Sequence, residues 1–343
     1  MGNNGIGKTN LLEAIFLFSH LKSFRQANEE DLILWGQKGY FVEIDFIDDR
    51  IKKNVQIGCQ KKKHKLEKKI KISGEVIKRF SDVIGEFLCV IFSPNDLEII
   101  NGGPAGRRKI IDLIICQRDG LYLQNLIEYN RILKQRNVLL KKNYKNKNII
   151  ESLFVWDEQL VKRGELIIER RESFIKEIQP YFFKNIESIS GYQENWQIKY
   201  LPNVISSEFG SSLKKKENKD RLLGRTSRGP HLDKIMFYPL SEKEENNINK
   251  DALYIASQGQ KRTLVLALKM AQYNFIEENL NKKAVLLIDD VITELDFKRR
   301  QKFVELLKNS GQTFFTTTSL SGLEDIRKDL EKETEIFKIT ELF

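Results

Sequence analysis

The stretch Gly2-Asn3-Asn4-Gly5-Ile6-Gly7-Lys8-Thr9 carries the complete G-x-x-x-x-G-K-[ST] pattern of a phosphate-binding loop. Each residue type in it has a physical task. The glycines let backbone N–H groups of Gly2, Asn3, Asn4, Gly5, Ile6 and Gly7 curl around phosphate oxygens. Lys8 can reach the terminal phosphates and the Thr9 hydroxyl can hold Mg²⁺. The residues that follow, 10–18, read Asn-Leu-Leu-Glu-Ala-Ile-Phe-Leu-Phe and predict a buried helix. Its N-terminus would add the helix dipole to the anion site. Such a loop normally follows a strand, and here only Met1 precedes Gly2.

With 343 residues, 41% of them hydrophobic and 31% charged, the chain has the composition of a soluble globular protein with one large or two ordinary cores. No apolar run approaches the roughly 18–20 residues that span a bilayer, and no secretory leader pattern opens the chain. The three cysteines, Cys59, Cys89 and Cys116, are scattered, which points to the reducing cytoplasm without disulfides or a zinc site. A net charge of +10 is compatible with an anionic partner such as nucleic acid.

Along the chain, residues 40–47 and 51–58 alternate apolar and polar around Asp48-Asp49-Arg50, a hairpin pattern. Residues 65–73 and 87–93 predict further strands. From residue 107 to about 188 the pattern is helical. Tyr122, Leu126, Tyr129, Leu133 and Leu140 share one face, as do Trp156, Leu160, Ile167, Phe174 and Ile178. A polar turn at 143–148 joins these into an antiparallel arm. Residues 206–220 are expected to form an exposed loop. Strands are predicted at 196–201, 234–238, 284–290, 312–318 and 335–340, with helices at 260–278 and 297–308. The fold class is α/β: a phosphate-loop head assembled from residues 1–106 and 225–343, with a helical domain inserted at 107–224.

Two further constellations carry chemistry. Ala284-Val285-Leu286-Leu287-Ile288-Asp289-Asp290 is a continuous apolar strand ending in two acids, and carboxylates at the C-terminal end of a parallel strand lie at the ligand edge of the sheet. Asp289 is placed to complete a Mg²⁺ site opposite Thr9, and Asp290 to orient or deprotonate an attacking water. The plain alternative is a pair of acids capping a turn. Ser257-Gln258-Gly259-Gln260 stands before a helix and makes a second anion-binding helix start. One nucleotide already has its cradle, so a second such site fits a composite site shared by two protomers. The plain alternative there is a Ser N-cap with Gln behind it.

Together these segments resemble ABC-type ATPases, and within them the RecF family. The resemblance is carried by residues 2–15, by Phe92-Ser93-Pro94-Asn95-Asp96-Leu97 with Gly106-Arg107-Arg108, by the run from Tyr129 to Asn137, and by Trp156-Asp157-Glu158-Gln159-Leu160. Gly229-Pro230-His231, Ser257-Gln258-Gly259-Gln260 and Leu287-Ile288-Asp289-Asp290 with Glu294-Leu295-Asp296 continue it in order. It implies an ATP- and Mg²⁺-dependent clamp that dimerises on DNA at single-strand/double-strand junctions. Such a clamp would act with RecR and RecO to help load RecA and hydrolyse ATP slowly. By resemblance Lys8 and Thr9 bind phosphate and metal, and Asp289 completes the metal site. Asp290 is the catalytic carboxylate, Ser257, Gly259 and Gln260 form the trans signature, and Asp296 lies in a loop crossing the dimer interface.

The chain departs from the family pattern in three places. Strands that the family carries ahead of the phosphate loop are absent from this sequence, Leu232 follows Gly-Pro-His where the family usually has arginine, and Thr316-Thr317-Thr318-Ser319 replaces the switch histidine of transporter ATPases. An inactive relic and another SMC-like or ABC ATPase are the alternative readings. Lys61-Lys62-Lys63-His64-Lys65, with Lys68, Lys69 and Lys71, is either a phosphate-backbone contact or a solvated hairpin face. Lys214-Lys215-Lys216 and Arg107-Arg108-Lys109 stand similarly open, and Trp35, Trp156 and Trp196 are expected in packing roles.

Overall fold

The computed structural model describes residues 6–25, 27–63, 65–142, 148–191, 194–240, 250–317, 335–337 and 339. In chain order, α1 (Lys8–His20) precedes an antiparallel run of β1 (Gly39–Asp48), β2 (Ile51–Lys62), β3 (Lys65–Ile72) and the short β4 (Glu75–Val76), and then β5 (Cys89–Phe92). A helical stretch follows, made of α2 (Glu98–Asn101), α3 (Pro104–Arg118), α4 (Gly120–Lys142) and α5 (Asn148–Ser190). Beyond it come β6 (Trp196–Leu201), α6 (Phe209–Lys215), α7 (Glu217–Leu223), β7 (Lys234–Pro239) and α8 (Ala252–Ile255). Then come α9 (Gln258–Leu280), β8 (Val285–Asp289), α10 (Phe297–Leu307) and β9 (Thr313–Thr316), the last regular element among the described residues. Two compact units emerge. The first is Met1–Leu97, Lys184–Glu194 and Arg262–Phe343; the second is Glu98–Phe183 and Asn195–Lys261.

In the first unit, β1 and β2 pair from Gly39 opposite Gln60 to Asp48 opposite Ile51. Their connection, Asp49-Arg50, has positive φ at both residues, 48° and 68°. That is the primed turn whose twist matches a hairpin. Alternation then sends Val55, Ile57 and Cys59 of β2 inward. Val55 and Ile57 meet Leu12, Phe16 and Leu17 of α1, together with Cys89, Ile91 and Leu287 from two strands of a second sheet. That sheet is parallel, in the order β5-β8-β9. β5 is buried at every residue, as a strand covered on both faces must be. The apolar spacing of α1 thus locks the helix that follows the phosphate loop onto the strand that ends in Asp289. Each buried Leu or Phe side chain contributes on the order of 2 kcal/mol to that lock.

The second unit is helical, with one two-stranded antiparallel sheet, β6-β7. In α4 the buried positions are Tyr122, Asn125, Tyr129, Ile132, Arg136 and Leu140, spaced three and four residues apart as a helix face requires. Along α5, Leu160, Ile167, Phe174 and Ile178 are fully buried. Gly164 lies among them because a Cβ there would sit 2.4 Å from the Phe209 ring. The polar positions are buried too. Arg136 donates to Asp157 (2.6 Å), Asp220 (2.8 Å) and the Thr226 hydroxyl (2.9 Å). Arg171 grips both oxygens of Asp112 at 2.8 Å and reaches Asp233 at 2.8 Å. His231 Nε2 lies 3.2 Å from the Thr226 carbonyl, so it carries the proton, and Nδ1 accepts from the Tyr129 hydroxyl at 2.7 Å.

The expected borders at 106 and 224 fall elsewhere: residues 98–106 and 225–261 lie in the second unit. β7 is the reason for the later border, since among the described residues it pairs with β6 of the inserted segment. Residues 206–220, expected as a loop, fold as α6 and α7. Phe209 and Leu213, four apart, supply a buried stripe that the surrounding serines and lysines mask in the sequence. Glu335–Phe337 and Ile339 carry no strand, and the rest of that expected strand, like the 143–147 turn, lies outside the described residues. Trp196 is buried as expected, whereas Trp35 is 97% exposed.

Burial also sets two measurable properties. His20 stacks on Phe16 with ring centroids 4.0 Å apart. Burial, and secondarily the Lys269 charge, lowers its pKa from 6.5 to about 3. The unfolded chain takes up this proton below pH 6.5 while the folded chain stays neutral, so stability is full above pH 6.5 and falls as the pH drops toward 3. His20→Phe, which keeps the stacked ring, flattens that fall in urea unfolding series taken at pH values from about 7 to 4. Gly229 has φ 130°, and a Cβ there would lie 2.5 Å from the Tyr129 hydroxyl. Gly229→Ala is expected to lose about 3 kcal/mol of unfolding free energy in the same assay; an unchanged midpoint would count against this packing.

Candidate nucleotide-binding site

The C-terminal end of β8 positions the chemistry of the first unit. Its four apolar residues run into Asp289, whose carboxylate is 6% exposed. Oδ1 of Asp289 accepts two hydroxyls: Thr9 Oγ1 at 3.0 Å from the first turn of α1, and Thr316 Oγ1 at 2.7 Å from the end of β9. Thr9 and Asp289, expected as ligands of one metal, lie within a single hydrogen bond of each other. Lys8, at the start of α1, is buried, and its positive charge acts on the Asp290 carboxyl. Gly7, the residue before α1, has φ 94°, a left-handed conformation open chiefly to glycine. Ile6 is half-buried beside it. Gly2, Asn3, Asn4 and Gly5 lie outside the described residues.

Asp290 leaves the strand in the left-handed region, with φ 52°. Its backbone N–H donates to Thr316 Oγ1 at 3.2 Å. Burial raises its carboxyl pKa above the ordinary value; Lys8 pulls it down and Asp289 pushes it up further. A carboxylate so raised is a better proton acceptor than an exposed aspartate. The pair of oxygen donors formed by Thr9 and Asp289 fits a hard cation such as Mg²⁺, which takes oxygen ligands.

The second constellation is an N-cap. Ser257 N donates to Gln260 Oε1 at 2.9 Å, and Gln260 N donates to Ser257 Oγ at 3.2 Å. This reciprocal capping box fixes the start of α9. Ser257, Gly259 and Gln260 lie in the second unit, while Lys8, Thr9, Asp289 and Asp290 lie in the first. The cap is therefore formed as the plain reading foresees, and it leaves the helix start at the surface, with Ser257 and Gln258 exposed.

The segment after Asp290 is held by two arginines of the first unit. Arg262 donates to the Glu294 carbonyl at 2.6 Å and reaches its carboxylate at 3.3 Å. Asp296 caps α10 by accepting from Arg299 N at 3.0 Å. The Arg299 guanidinium returns to Asp296 at 2.7 Å and also binds Thr263 at 2.9 Å and Glu194 at 2.8 Å. These hydrogen bonds hold the Asp296 carboxyl below its usual range, the Arg299 backbone N–H foremost.

Several charged residues turn out to be structural. Arg107 is 4% exposed and forms a double ion pair with Asp251 at 2.6 and 2.8 Å, so it does not line a groove. Lys68 is half-buried against Glu29. Lys61 pairs with Glu30, and Lys62 and Lys69 share Glu67; His64 lies outside the described residues. Sequence reading missed the Lys269–Asp96 pair at 2.9 Å, with the lysine side chain 3% exposed. A lysine on the apolar α9 run was its one visible signal. Thr316 stood out in the sequence only as a place without histidine, and its hydroxyl role is visible only from the strand order.

Comparison with known proteins fits this geometry. Residues 1–338 match the family described as RecF/RecN/SMC N terminal domain. The DNA replication and repair protein RecF of Leptospira interrogans serovar Lai is 42% identical over 341 residues, covering 99% of this chain and 90% of that protein. RecF of Lachnoclostridium phytofermentans is 36% identical over 339 residues, covering 98% and 90%. A solved structure described as the recombination mediator protein RecF-ATP in the RecFOR pathway superposes with a TM-score of 0.83 at 32% identity, covering 93% of this chain and 85% of that one. No described helix is long and apolar enough to cross a membrane. With a family match over nearly its whole length and relatives above 30% identity, the chain belongs to the RecF family.

Proposed function

We propose that this chain is an ATP-dependent DNA-binding protein of recombinational gap repair and replication restart. ATP would draw two copies together at single-strand/double-strand junctions, and slow hydrolysis would release them. The observation that carries the reading is the meeting of Thr9 and Asp289, 280 residues apart, at one hydrogen bond on the ligand edge of a parallel sheet. The names of the relatives, and the ATP named with a structural neighbour, supply the substrate and the pathway. RecR with RecO, and RecA downstream, are the partners that pathway suggests, and the site of action is the cytoplasm.

The residues divide the work as follows. Lys8 and the loop N–H groups, with the N-terminus of α1 behind them, hold the β- and γ-phosphates. Thr9 and Asp289 would hold Mg²⁺, which when bound neutralises phosphate charge. Asp290 orients water in line with the γ-phosphate and takes up its proton, a task suited to its raised pKa. Ser257, Gly259 and Gln260 sit at an exposed helix start, and in the closed dimer each presents that start to the nucleotide of the other protomer.

Sedimentation with and without ATP tests the dimer. Wild type shifts from monomer to dimer on ATP, and Lys8→Ala stays monomeric; equal monomer fractions for wild type in both conditions would sink the proposal. Asp290→Asn, with hydrolysis blocked, accumulates as an ATP-bound dimer on gapped DNA in fluorescence anisotropy. Its turnover falls at least about 100-fold. Turnover equal to wild type would remove Asp290 from the role of base.

A further inference from the structure

We infer that Thr316 is a positioning residue for the two carboxylates, an inference that rests on the ATPase reading. Its single hydroxyl does two things at once. The O–H donates to Asp289 Oδ1 at 2.7 Å, and the oxygen accepts the N–H of Asp290 at 3.2 Å. A hydroxyl has one donor and two acceptor positions, so both bonds can form together. Thr316 is the last residue of β9 and stands opposite Asp289 in the parallel ladder. Register therefore delivers the hydroxyl to the acids without help from a loop.

Two features need such a clamp. Asp290 occupies φ 52°, a conformation that costs an aspartate free energy and persists only where its surroundings fix it. The bond from its N–H to Thr316 is one such restraint, placed at the residue where the strand turns away. Asp289 Oδ1 is shared between Thr9 and Thr316. When the Thr9 hydroxyl turns to a ligand, Asp289 loses one of these bonds and keeps the one from Thr316. The carboxylate then stays where β8 and β9 put it. Thr316 touches neither phosphate nor water in this scheme; it acts through Asp289 and Asp290.

The test compares Thr316→Val, which keeps the branched shape and deletes the hydroxyl, with Thr316→Ser, which keeps the hydroxyl. The first readout needs no nucleotide. Hydrogen–deuterium exchange of the Asp290 amide in the free chain is expected to quicken at least about tenfold in Thr316→Val, with exchange in the remainder of β8 unchanged. Turnover of ATP is expected to fall about 10- to 100-fold in Thr316→Val with KM for ATP held within about threefold, and Thr316→Ser restores both measurements. Wild-type exchange and turnover in Thr316→Val would overturn the inference while leaving the ATPase reading intact. Failure of the serine variant to restore them would also overturn it, since shape and not the hydroxyl would then matter. Absence of nucleotide binding and turnover in wild type itself would overturn both.

Discussion

One oxygen, Asp289 Oδ1, gathers three distant pieces of this chain. It accepts from Thr9 in α1 and from Thr316 in β9 while belonging to β8. Each of those elements is held there by apolar burial. Leu12, Phe16 and Leu17 of α1 pack with Leu287 of β8 and with Cys89 and Ile91 of β5. The hydrogen bonds alone are each worth about 1 kcal/mol net, more where one partner is ionised. The geometry at the acids is therefore set by the core, and the two hydroxyls refine it. A buried carboxylate with its acceptor oxygen satisfied costs far less than a bare one. The sheet can therefore end in charge without losing its order.

The second unit adds buried ion pairs to its apolar core. Arg136, Arg171 and Arg107 are buried with Asp220, Asp233 and Asp251, and Asp112 is half-buried against Arg171. Replacing such a pair by apolar residues is often neutral or stabilising, while removing one partner is severe. Bidentate and shared contacts specify distance and angle between helices in a way apolar contacts do not. Arg136 fixes α4 against α5 and α7, through Asp157 and Asp220. Arg171 fixes α5 against α3 and the turn before β7, through Asp112 and Asp233. Four of the segments that carry the family resemblance, at Gly106-Arg107-Arg108, Tyr129 to Asn137, Trp156 to Leu160 and Gly229-Pro230-His231, supply members of these networks. In these four segments the resemblance marks residues that build the scaffold.

How much of this was legible depended on the kind of signal. Period-two alternation in residues 40–58 and the apolar run before Asp289 gave the strands, because burial dictates those patterns directly. The phosphate-loop pattern and the paired acids pointed to the candidate site, because each residue type there has a distinct chemical task. Residues 206–220 were misread because two buried residues, Phe209 and Leu213, were outnumbered by lysines and serines. Arg107 and Lys269 were illegible for a further reason. Their partners Asp251 and Asp96 stand 144 and 173 positions away, and no local pattern announces a pair formed by topology alone. Trp35 reverses the usual expectation for its type, being left almost wholly in solvent, and nothing in the structure explains it.

The segment 294–296 is fixed at both of its ends. Its backbone is pinned at Glu294 by Arg262, and Asp296 is engaged twice by Arg299, once through the helix cap and once through the guanidinium. Arg262 and Thr263 are neighbours on α9, so both clamps reach back to the same turn of one helix. A loop tied at two points to a packed helix has little conformational freedom left to lose when a partner surface meets it. Ordering costs subtract directly from affinity. For the proposed ATP-bridged pair, a loop already ordered in the single chain would lower the threshold for pairing. The carboxylate of Asp296 remains half in solvent while so held. It therefore keeps the helix cap while leaving an edge of the carboxylate open to solvent.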